Sequence, residues 1–184
     1  MIYYIYYEAT SKINYIYLLY LYGVAQYNKE TRHSDLIEYK TLEDLADRIN
    51  KRFKDQESKS KYNGVSASSL SKILNNKDYE NYLFYDKENK KIIIKNNFKQ
   101  SEIKRSFITL TEKEFILLTT EKDLLLCRYL FYLKYFIGFS KNKMIDTTAK
   151  QFLSALGYSI TSGSNLTLIS YFNNLLQEKE IIKI

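Results

Sequence analysis

The sequence contains no proline, five glycines and a single cysteine. A Pro/Gly linker between its halves is therefore absent, and any domain boundary must be a short polar segment. The lone Cys127 rules out an internal disulfide framework, and its place in the apolar run 124–133 predicts a buried structural thiol. A single cysteine without a disulfide framework is typical of a protein in a reducing compartment, so we expect a cytoplasmic protein.

Common catalytic sites are also missing from the sequence. One histidine, His33, and one cysteine cannot supply the ligands of a typical zinc site, and no glycine-rich phosphate loop occurs. Nineteen tyrosines raise the question of a DNA-cleaving nucleophile, but such enzymes need paired histidines with a metal, or several arginines with a histidine. Only five arginines are present. We interpret Tyr62, Tyr79, Tyr82 and Tyr85 as core or base-stacking residues, and we predict no enzyme, metal or cofactor.

The residue types that are abundant indicate a globular protein. Apolar residues make up 45% of the chain and charged residues 27%, which is enough for a substantial core. Residues 1–7 lack a basic leader and Glu8 interrupts them, so we expect neither a secretory signal nor a membrane protein. Lys, Asn, Ile, Tyr and Phe account for 86 of the 184 residues, a bias typical of AT-rich coding in low-GC bacteria and their mobile elements.

The positive charge is concentrated in one window. Residues 51–105 hold 14 Lys/Arg and 7 Asp/Glu, whereas the rest of the chain holds 14 of each. The whole net charge of +7 therefore lies in this window, as expected for a surface that binds phosphates. The alternative is a solvated lysine-rich face produced by codon bias.

The first half has the hydrophobic spacing of three helices, a strand and a hairpin. The predicted elements are a strand or arm at 2–7, a helix at 13–24 capped by Ser11, a strand at 35–39, a helix capped by Thr41, a helix opened by Val65 and Ser66, and a hairpin of 82–85 with 91–95. This order, with a basic hairpin at its end, is the plan of a winged helix-turn-helix unit.

The second half repeats much of this order. The predicted elements are an apolar helix at 123–139, a strand at 143–145, a helix capped by Asp146 and stopped by Gly157, a helix opened by Ser164 or Asn165, and a strand at 181–184. In the last helix we expect Leu168, Ile169, Phe172, Leu175 and Leu176 to face inward. The chain ends before a second wing strand.

Two segments carry a family resemblance. Residues 41–49 and 65–74 resemble the common bacterial helix-turn-helix pattern, and residues 146–157, with 165–176 and 181–184, are similar to winged-helix units in phage and plasmid proteins of low-GC bacteria. The resemblance implies an α+β fold, mainly α with short β hairpins: two tandem winged helix-turn-helix units, 1–98 with a basic wing and 99–184 with a rudimentary one. The connection 51–64 is longer than such units usually have, so it is an extra element or the first unit is misread.

The resemblance also implies which residues approach DNA. They are Ser66, Ser68, Ser69, Lys72 and Asn75 in the first unit, Lys90 and Lys91 in its wing, and Ser164, Asn165, Thr167, Ser170 and Asn173 in the second unit. Asparagine can read adenine with two hydrogen bonds, serine and threonine reach bases or phosphates, and lysine neutralises a phosphate. The alternative is that these faces are simply solvated.

We therefore expect a non-catalytic protein that binds double-stranded DNA, as a replication, transfer or regulatory factor of a mobile element. The alternative is a protein-interaction adaptor that assembles replication or transfer proteins. Helices 13–24 and 124–137 are apolar on most sides. They predict a homodimer joined through one of them or, alternatively, helices that pack on each other within one chain.

Overall fold

The computed structural model describes residues 2–6, 13–30, 33–54, 64–95, 107–121, 123–139, 147–155, 158–161 and 163–182. These residues form a mixed α+β fold with seven α-helices, a four-stranded antiparallel sheet and a two-stranded ribbon. The α+β class predicted from the sequence is confirmed. None of the helices in these ranges is long and apolar enough to cross a membrane.

The first half contains the predicted elements in the predicted order. They are β1 (Ile2–Tyr6), α1 (Tyr15–Val24), β2 (Gln26–Asn28), β3 (His33–Glu38), α2 (Leu42–Lys54), α3 (Ala67–Leu74), a 3-10 turn (Lys77–Tyr79), β4 (Leu83–Asp86) and β5 (Lys91–Ile94). The short strand β2, which pairs with β3, was not expected. The sheet order is β2-β3-β5-β4, so the hairpin β4–β5 joins the sheet through β5.

Local side-chain caps explain where these helices begin. Thr41 accepts a hydrogen bond from the Asp44 N–H at 3.2 Å and so caps α2, as predicted. For α1 the predicted cap, Ser11, lies outside the described residues. The cap in the structure is Asn14, whose Oδ1 accepts from the Ile16 N–H at 3.0 Å.

The second half contains one strand and four helices in the described residues. They are β6 (Phe107–Thr111), α4 (Glu112–Glu121), α5 (Leu124–Phe139), α6 (Ala149–Ala155) and α7 (Gly163–Glu178). Strand β6 pairs antiparallel with β1 from the start of the chain. The predicted strand 143–145, the cap Asp146 and the stop Gly157 lie outside the described residues. In the structure Thr148 and Gln151 form a reciprocal cap at the start of α6.

Two predictions for the end of the chain are wrong. Ile181 and Ile182 do not form a strand, because Glu180 adopts a left-handed conformation (φ 54°). The Ile181 N–H then returns to the Leu176 carbonyl at 2.8 Å and closes a Schellman turn after α7. Leu168 does not face inward: 39% of its surface is exposed, whereas Ile169, Phe172, Leu175 and Leu176 are buried as predicted.

One core connects the two halves, and α1 lies in it. This helix contacts α2 and β3 on one side and α4 and α5 on the other. Tyr15 of α1 meets Phe131 of α5 edge to face, with 4.9 Å between ring centres. The two strongly apolar helices thus pack on each other within one chain, as the alternative interpretation predicted. This removes the reason for placing a dimer contact on 13–24, whereas Phe136, near the end of the other helix, is 42% exposed.

Candidate nucleic-acid interface

Helix α3 presents a polar face beside a buried apolar one. Leu70 and Leu74 are buried, whereas Ser68, Lys72 and Asn75 are exposed. These three exposed residues are spaced four and three apart, so they lie on one side of the helix. They are the predicted site residues that the structure brings together on an open helix face.

The other two predicted serines of this helix serve its N-terminus. The Ser66 Oγ accepts from the Ser69 N–H at 3.1 Å, and the two hydroxyls lie 2.9 Å apart. Ser66 is the N-cap of α3, and Ser69 is half-buried. Both residues therefore stabilise the start of the helix, as the sequence predicted for Ser66.

A side chain of α2 fixes the start of α3. The Asn50 Nδ2 donates to the Val65 carbonyl at 2.9 Å, and its Oδ1 accepts from the Val65 N–H at 2.7 Å. Gly64, just before, has a φ of 64°, which a side chain would strain. The long connection thus returns to α2 at a defined point, although its residues 55–63 lie outside the described ones.

The hairpin turn between β4 and β5 is built around Asp86. Its carboxylate accepts from the Asn89 N–H at 2.9 Å and from the Asn89 Nδ2 at 2.8 Å. Those two hydrogen bonds lower the pKa of Asp86 below its usual value. Lys90 closes the turn in a left-handed conformation, with φ 53°, and its side chain is exposed.

The second predicted lysine of the hairpin has a partner in the sheet. The Lys91 Nζ lies 3.3 Å from the Glu38 carboxylate, and both side chains are about half exposed. The two residues are directly opposite in the β3–β5 pairing. Of the two predicted hairpin contacts, Lys90 is therefore better placed than Lys91 to meet an external phosphate.

A groove joins the end of α3 to the hairpin. It has a volume of about 460 Å³, and its lining includes Asn75 and Asn76 from the helix end and Phe84 and Tyr85 from β4. Phe84 is 52% exposed. Asn75 belongs both to the polar face of α3 and to this groove, so the helix face and the hairpin border the same depression.

The described residues carry only part of the predicted charge window. The described residues of the window, 51–54 and 64–95, contain nine Lys/Arg and four Asp/Glu. The exposed ones lie on α2, on α3, in the 3-10 turn, in the hairpin turn and just after β5: Lys51, Arg52, Lys72, Lys77, Lys87, Lys90 and Lys95. Lys95 donates to the Glu80 carbonyl. The described part of the window is thus positive, and its exposed cations extend beyond α3 and the hairpin turn.

The predicted site residues of the second half lie on α7, where four of them make a hydrogen bond to their own chain. The Thr167 hydroxyl donates to the Gly163 carbonyl at 2.9 Å. The Ser170 hydroxyl donates to the Leu166 carbonyl at 3.2 Å. Such bonds leave a hydroxyl hydrogen committed to the helix backbone.

The two asparagines of this set are half-buried. The Asn165 Nδ2 donates to the Ser159 carbonyl at 3.3 Å, and the Asn173 Oδ1 accepts from the Tyr129 hydroxyl at 2.5 Å. Ser164 is exposed in the first turn of α7, which begins one residue earlier, at Gly163. The contacts of Asn165 and Asn173 join α7 to its neighbours and do not project toward an external ligand.

Helix α7 instead exposes apolar side chains that the sequence analysis missed. Leu168 is 39% exposed and Tyr171 53%, and Ile160 just before the helix is 43% exposed. The sequence does contain an indication of this surface, because no Lys, Arg, Asp or Glu occurs from residue 151 to 177. A helix face meant for phosphates would be expected to carry lysine or arginine.

The other residues considered for base stacking, catalysis or metal binding are mostly buried or do not lie together. Tyr79 and Tyr82 are core residues, as one interpretation predicted, and Tyr85 is half-buried, whereas Tyr62 lies outside the described residues. Cys127 is fully buried, which raises the pKa of its thiol. In the part of the chain that the structure describes, no three His, Cys, Asp or Glu side chains are grouped so that they could hold a metal ion.

Comparison with protein-family models, curated proteins and solved structures gave no match. The function of this site must therefore be argued from its own geometry and charge.

Proposed function

We propose that the first half of the chain binds duplex DNA as a winged helix-turn-helix unit and does so without catalysis. The carrying observation is the order α1, β3, α2, α3 and hairpin, with the hairpin joined to β3 through β5. That connectivity is the one expected for three helices closed by a three-stranded wing sheet. Here β2 adds a fourth strand at the edge.

In this proposal α3 is the recognition helix. Ser68, Lys72 and Asn75 point away from the core and would face base edges in the major groove, because a B-DNA major groove admits one α-helix. The Asn75 Nδ2 donates to the Ser71 carbonyl at 2.7 Å, so Asn75 would contact a base through its Oδ1. Lys72 can meet a phosphate or a guanine. Asn50 would hold the helix at the required angle through its two bonds to Val65.

The hairpin would meet the neighbouring sugar–phosphate backbone. Lys87 and Lys90 stand in its exposed turn, and the groove lined by Asn75 and Phe84 lies between the helix and the hairpin. A strand of DNA passing along this depression would touch both elements. The side chain of Lys91 would contribute less, because Glu38 already neutralises part of its charge.

The second half would be a second helix-turn-helix unit formed by α5, α6 and α7, with a rudimentary wing. Because no Lys, Arg, Asp or Glu occurs from residue 151 to 177, it would be the weaker DNA binder of the two. We place the protein among replication, transfer or regulatory factors of mobile elements, because the resemblance of 41–49, 65–74 and 146–157 points to such proteins. The alternative, a protein-interaction adaptor, is favoured by one observation: the exposed apolar side chains of α7.

Salt-dependent binding to a labelled duplex tests the proposal. Fluorescence anisotropy between about 50 and 200 mM salt should give a linear fall of log affinity with log salt. Lys72→Ala and Lys90→Ala should each reduce the slope by about one unit, and Lys91→Ala by less.

The matched control is Lys113→Ala, because Lys113 is an exposed lysine on α4, far along the chain from this interface. It should leave the slope unchanged. If Lys113→Ala reduced the slope as much as Lys72→Ala, binding would be unspecific and the proposed interface wrong. If the folded protein had no affinity for duplex DNA at low salt, the adaptor function would replace this one.

A further inference from the structure

The groove between the end of α3 and strand β4 has an aromatic wall. Its volume is about 460 Å³, and Phe84 of β4, which is 52% exposed, belongs to its lining. Phe84 lies on the face of the sheet opposite to the buried neighbour Leu83, because successive side chains of a strand alternate. Among the described residues no other aromatic ring stacks on it. An open ring of this kind is a platform for a flat, unsaturated ligand.

Two consecutive amides line the helix side of the groove. The Asn75 Nδ2 donates to the Ser71 carbonyl at 2.7 Å, which leaves its Oδ1 as an acceptor. The Asn76 Oδ1 accepts from the Asp78 N–H at 2.9 Å, which leaves its Nδ2 as a donor. Neither of these remaining atoms is hydrogen-bonded within the part of the chain that the structure describes. The groove thus offers an acceptor and a donor as well as the aromatic ring.

The charge of the groove favours a neutral ligand over a phosphate. Its lining includes one lysine and one glutamate, Lys95 and Glu80, so their formal charges cancel. The Lys95 Nζ donates to the Glu80 carbonyl and is thereby held by its own chain. A phosphate has stronger partners in the exposed Lys72 of α3 and Lys90 of the hairpin turn. These lysines suit the backbone of a bound strand, and the groove suits an uncharged ring.

A base that is paired and stacked cannot use this groove. In a duplex, neighbouring bases cover both faces of each base, and the partner strand occupies its Watson–Crick edge. An unpaired base that has left the stack exposes a face to Phe84, and its edge presents donors and acceptors to Asn75 and Asn76. Asn75 belongs both to the polar face of α3 and to the groove, so DNA held on that face runs next to the groove.

We propose that the groove binds one unpaired base of the bound DNA, stacked on Phe84 and hydrogen-bonded to Asn75 and Asn76. The inference rests on the proposed function, because α3 and the hairpin must hold the DNA that supplies the base. It adds a preference for DNA in which a base is already unpaired, since such a base costs least to extrude. One stack of a base on an aromatic side chain changes affinity by about fivefold or more.

Fluorescence anisotropy with three labelled duplexes tests the inference on the full-length protein. The first duplex is fully paired, the second carries one unpaired adenine as a bulge, and the third carries an abasic site in place of that adenine. The wild-type protein should bind the adenine bulge at least about fivefold more tightly than the paired duplex. The abasic bulge should show no such gain, because it interrupts the duplex at the same point but has no ring to stack.

Substitutions of Phe84 separate stacking from apolar contact. Phe84→Leu keeps an apolar side chain on β4 but removes the ring, so the preference for the adenine bulge should be lost. Phe84→Tyr keeps the ring and should keep the preference. The preference is a ratio of two affinities measured on one variant, so it does not depend on the fraction of that variant that is folded.

Tyr27→Leu is the matched control. Tyr27 is an exposed aromatic residue (61%) on β2, at the opposite edge of the same sheet. This variant should bind the adenine bulge with the wild-type preference, because Tyr27 does not line the groove.

The outcomes separate this inference from the proposed function. Equal affinity of the wild-type protein for the paired duplex and the adenine bulge would overturn the inference and leave the proposed function standing. So would a preference that Phe84→Leu retains or that Tyr27→Leu loses, or an abasic bulge bound as tightly as the adenine bulge. If none of the three duplexes bound at low salt, the proposed function would fail, and the inference with it.

Discussion

Lys134 of α5 and Glu114 of α4 form an ion pair, with 2.5 Å between Nζ and Oε1. The side chains are 20% and 8% exposed. The same carboxylate accepts from the Thr111 N–H at 2.6 Å and from the Thr111 hydroxyl at 3.0 Å. Glu114 therefore caps its own helix and links it to the next one.

Removing one charge of this pair should strongly destabilise the protein. Lys134→Met leaves the buried carboxylate of Glu114 without its cation, and we expect the free energy of unfolding to fall by about 3–5 kcal/mol. Urea denaturation at neutral pH measures it. Lys113→Met is the control: its pair with Glu180 is exposed, so the loss should stay below about 1 kcal/mol. Equal losses for the two variants would contradict this account.

Gly23 in α1 permits close contact with α2. A Cβ at this position would lie 2.4 Å from the Cζ of Phe53, whose buried ring packs against Tyr20 and Phe115. Gly23→Ala should therefore lower the free energy of unfolding by about 1–3 kcal/mol, although alanine is the better helix former.

Gly163→Ala is the matched control for that substitution. No atom lies within 4 Å of the added Cβ at the start of α7, so the variant should be neutral or up to about 1 kcal/mol more stable. Thermal and urea unfolding of both variants give the comparison. A stable Gly23→Ala protein would mean that Phe53 has an alternative position.

Asn50 should affect both stability and the position of α3. Asn50→Ala removes both bonds to Val65 and leaves a backbone N–H and a carbonyl without this partner, so unfolding should become easier by about 1–3 kcal/mol. Affinity for duplex DNA should fall too, although Asn50 is not on the proposed interface. Asn50→Asp keeps the acceptor for the Val65 N–H and should lie between alanine and wild type in both assays. An unchanged affinity would show that α3 does not need this anchor.

Ionisation of the Tyr79 hydroxyl should make the free energy of unfolding depend on pH in the alkaline range. Its hydroxyl accepts from the Asn14 N–H at 2.9 Å, and burial raises the pKa of Tyr79 to about 12, a value that this hydrogen bond partly lowers. Because the pKa in the folded state lies above that of the unfolded chain, the stabilisation is complete below pH 10 and is lost as the pH rises from 10 through 12.

Tyr79→Phe should reduce this alkaline loss and also lower the stability at neutral pH, because the Asn14 N–H loses its acceptor. Urea unfolding at several pH values between 8 and 11 measures both effects. Tyr27→Phe changes an exposed tyrosine (61%) and should leave the pH profile as in wild type. A wild-type profile for Tyr79→Phe would assign the alkaline loss to other tyrosines.

The sequence was sufficient where structure depends on neighbouring residues. The caps Thr41 and Ser66 act within three residues of their own position, and the hairpin turn is closed by Asp86 and Asn89. Such contacts can be read from a short segment. Leu45 and Ile49 of α2 are likewise four residues apart, so they share one helix face, and both are fully buried.

Prediction failed where the outcome depends on distant segments. Leu168 fits an inward helical spacing as well as Ile169 does, and only the packing of α7 on its neighbours decides which one is buried. The hydrogen bond of Asn173 to Tyr129 crosses 44 positions of the chain, so no short segment of the sequence indicates that this asparagine faces α5.

The pairing of β1 with β6 has a consequence for how the chain is made. Ile2 lies opposite Thr111, so β1 has no β6 to pair with until synthesis has passed residue 107. Until then its backbone groups stay with water or with transient partners, and contacts this distant in sequence form slowly. An early stop in translation before residue 107 would therefore release a chain whose first strand has no β6 to pair with.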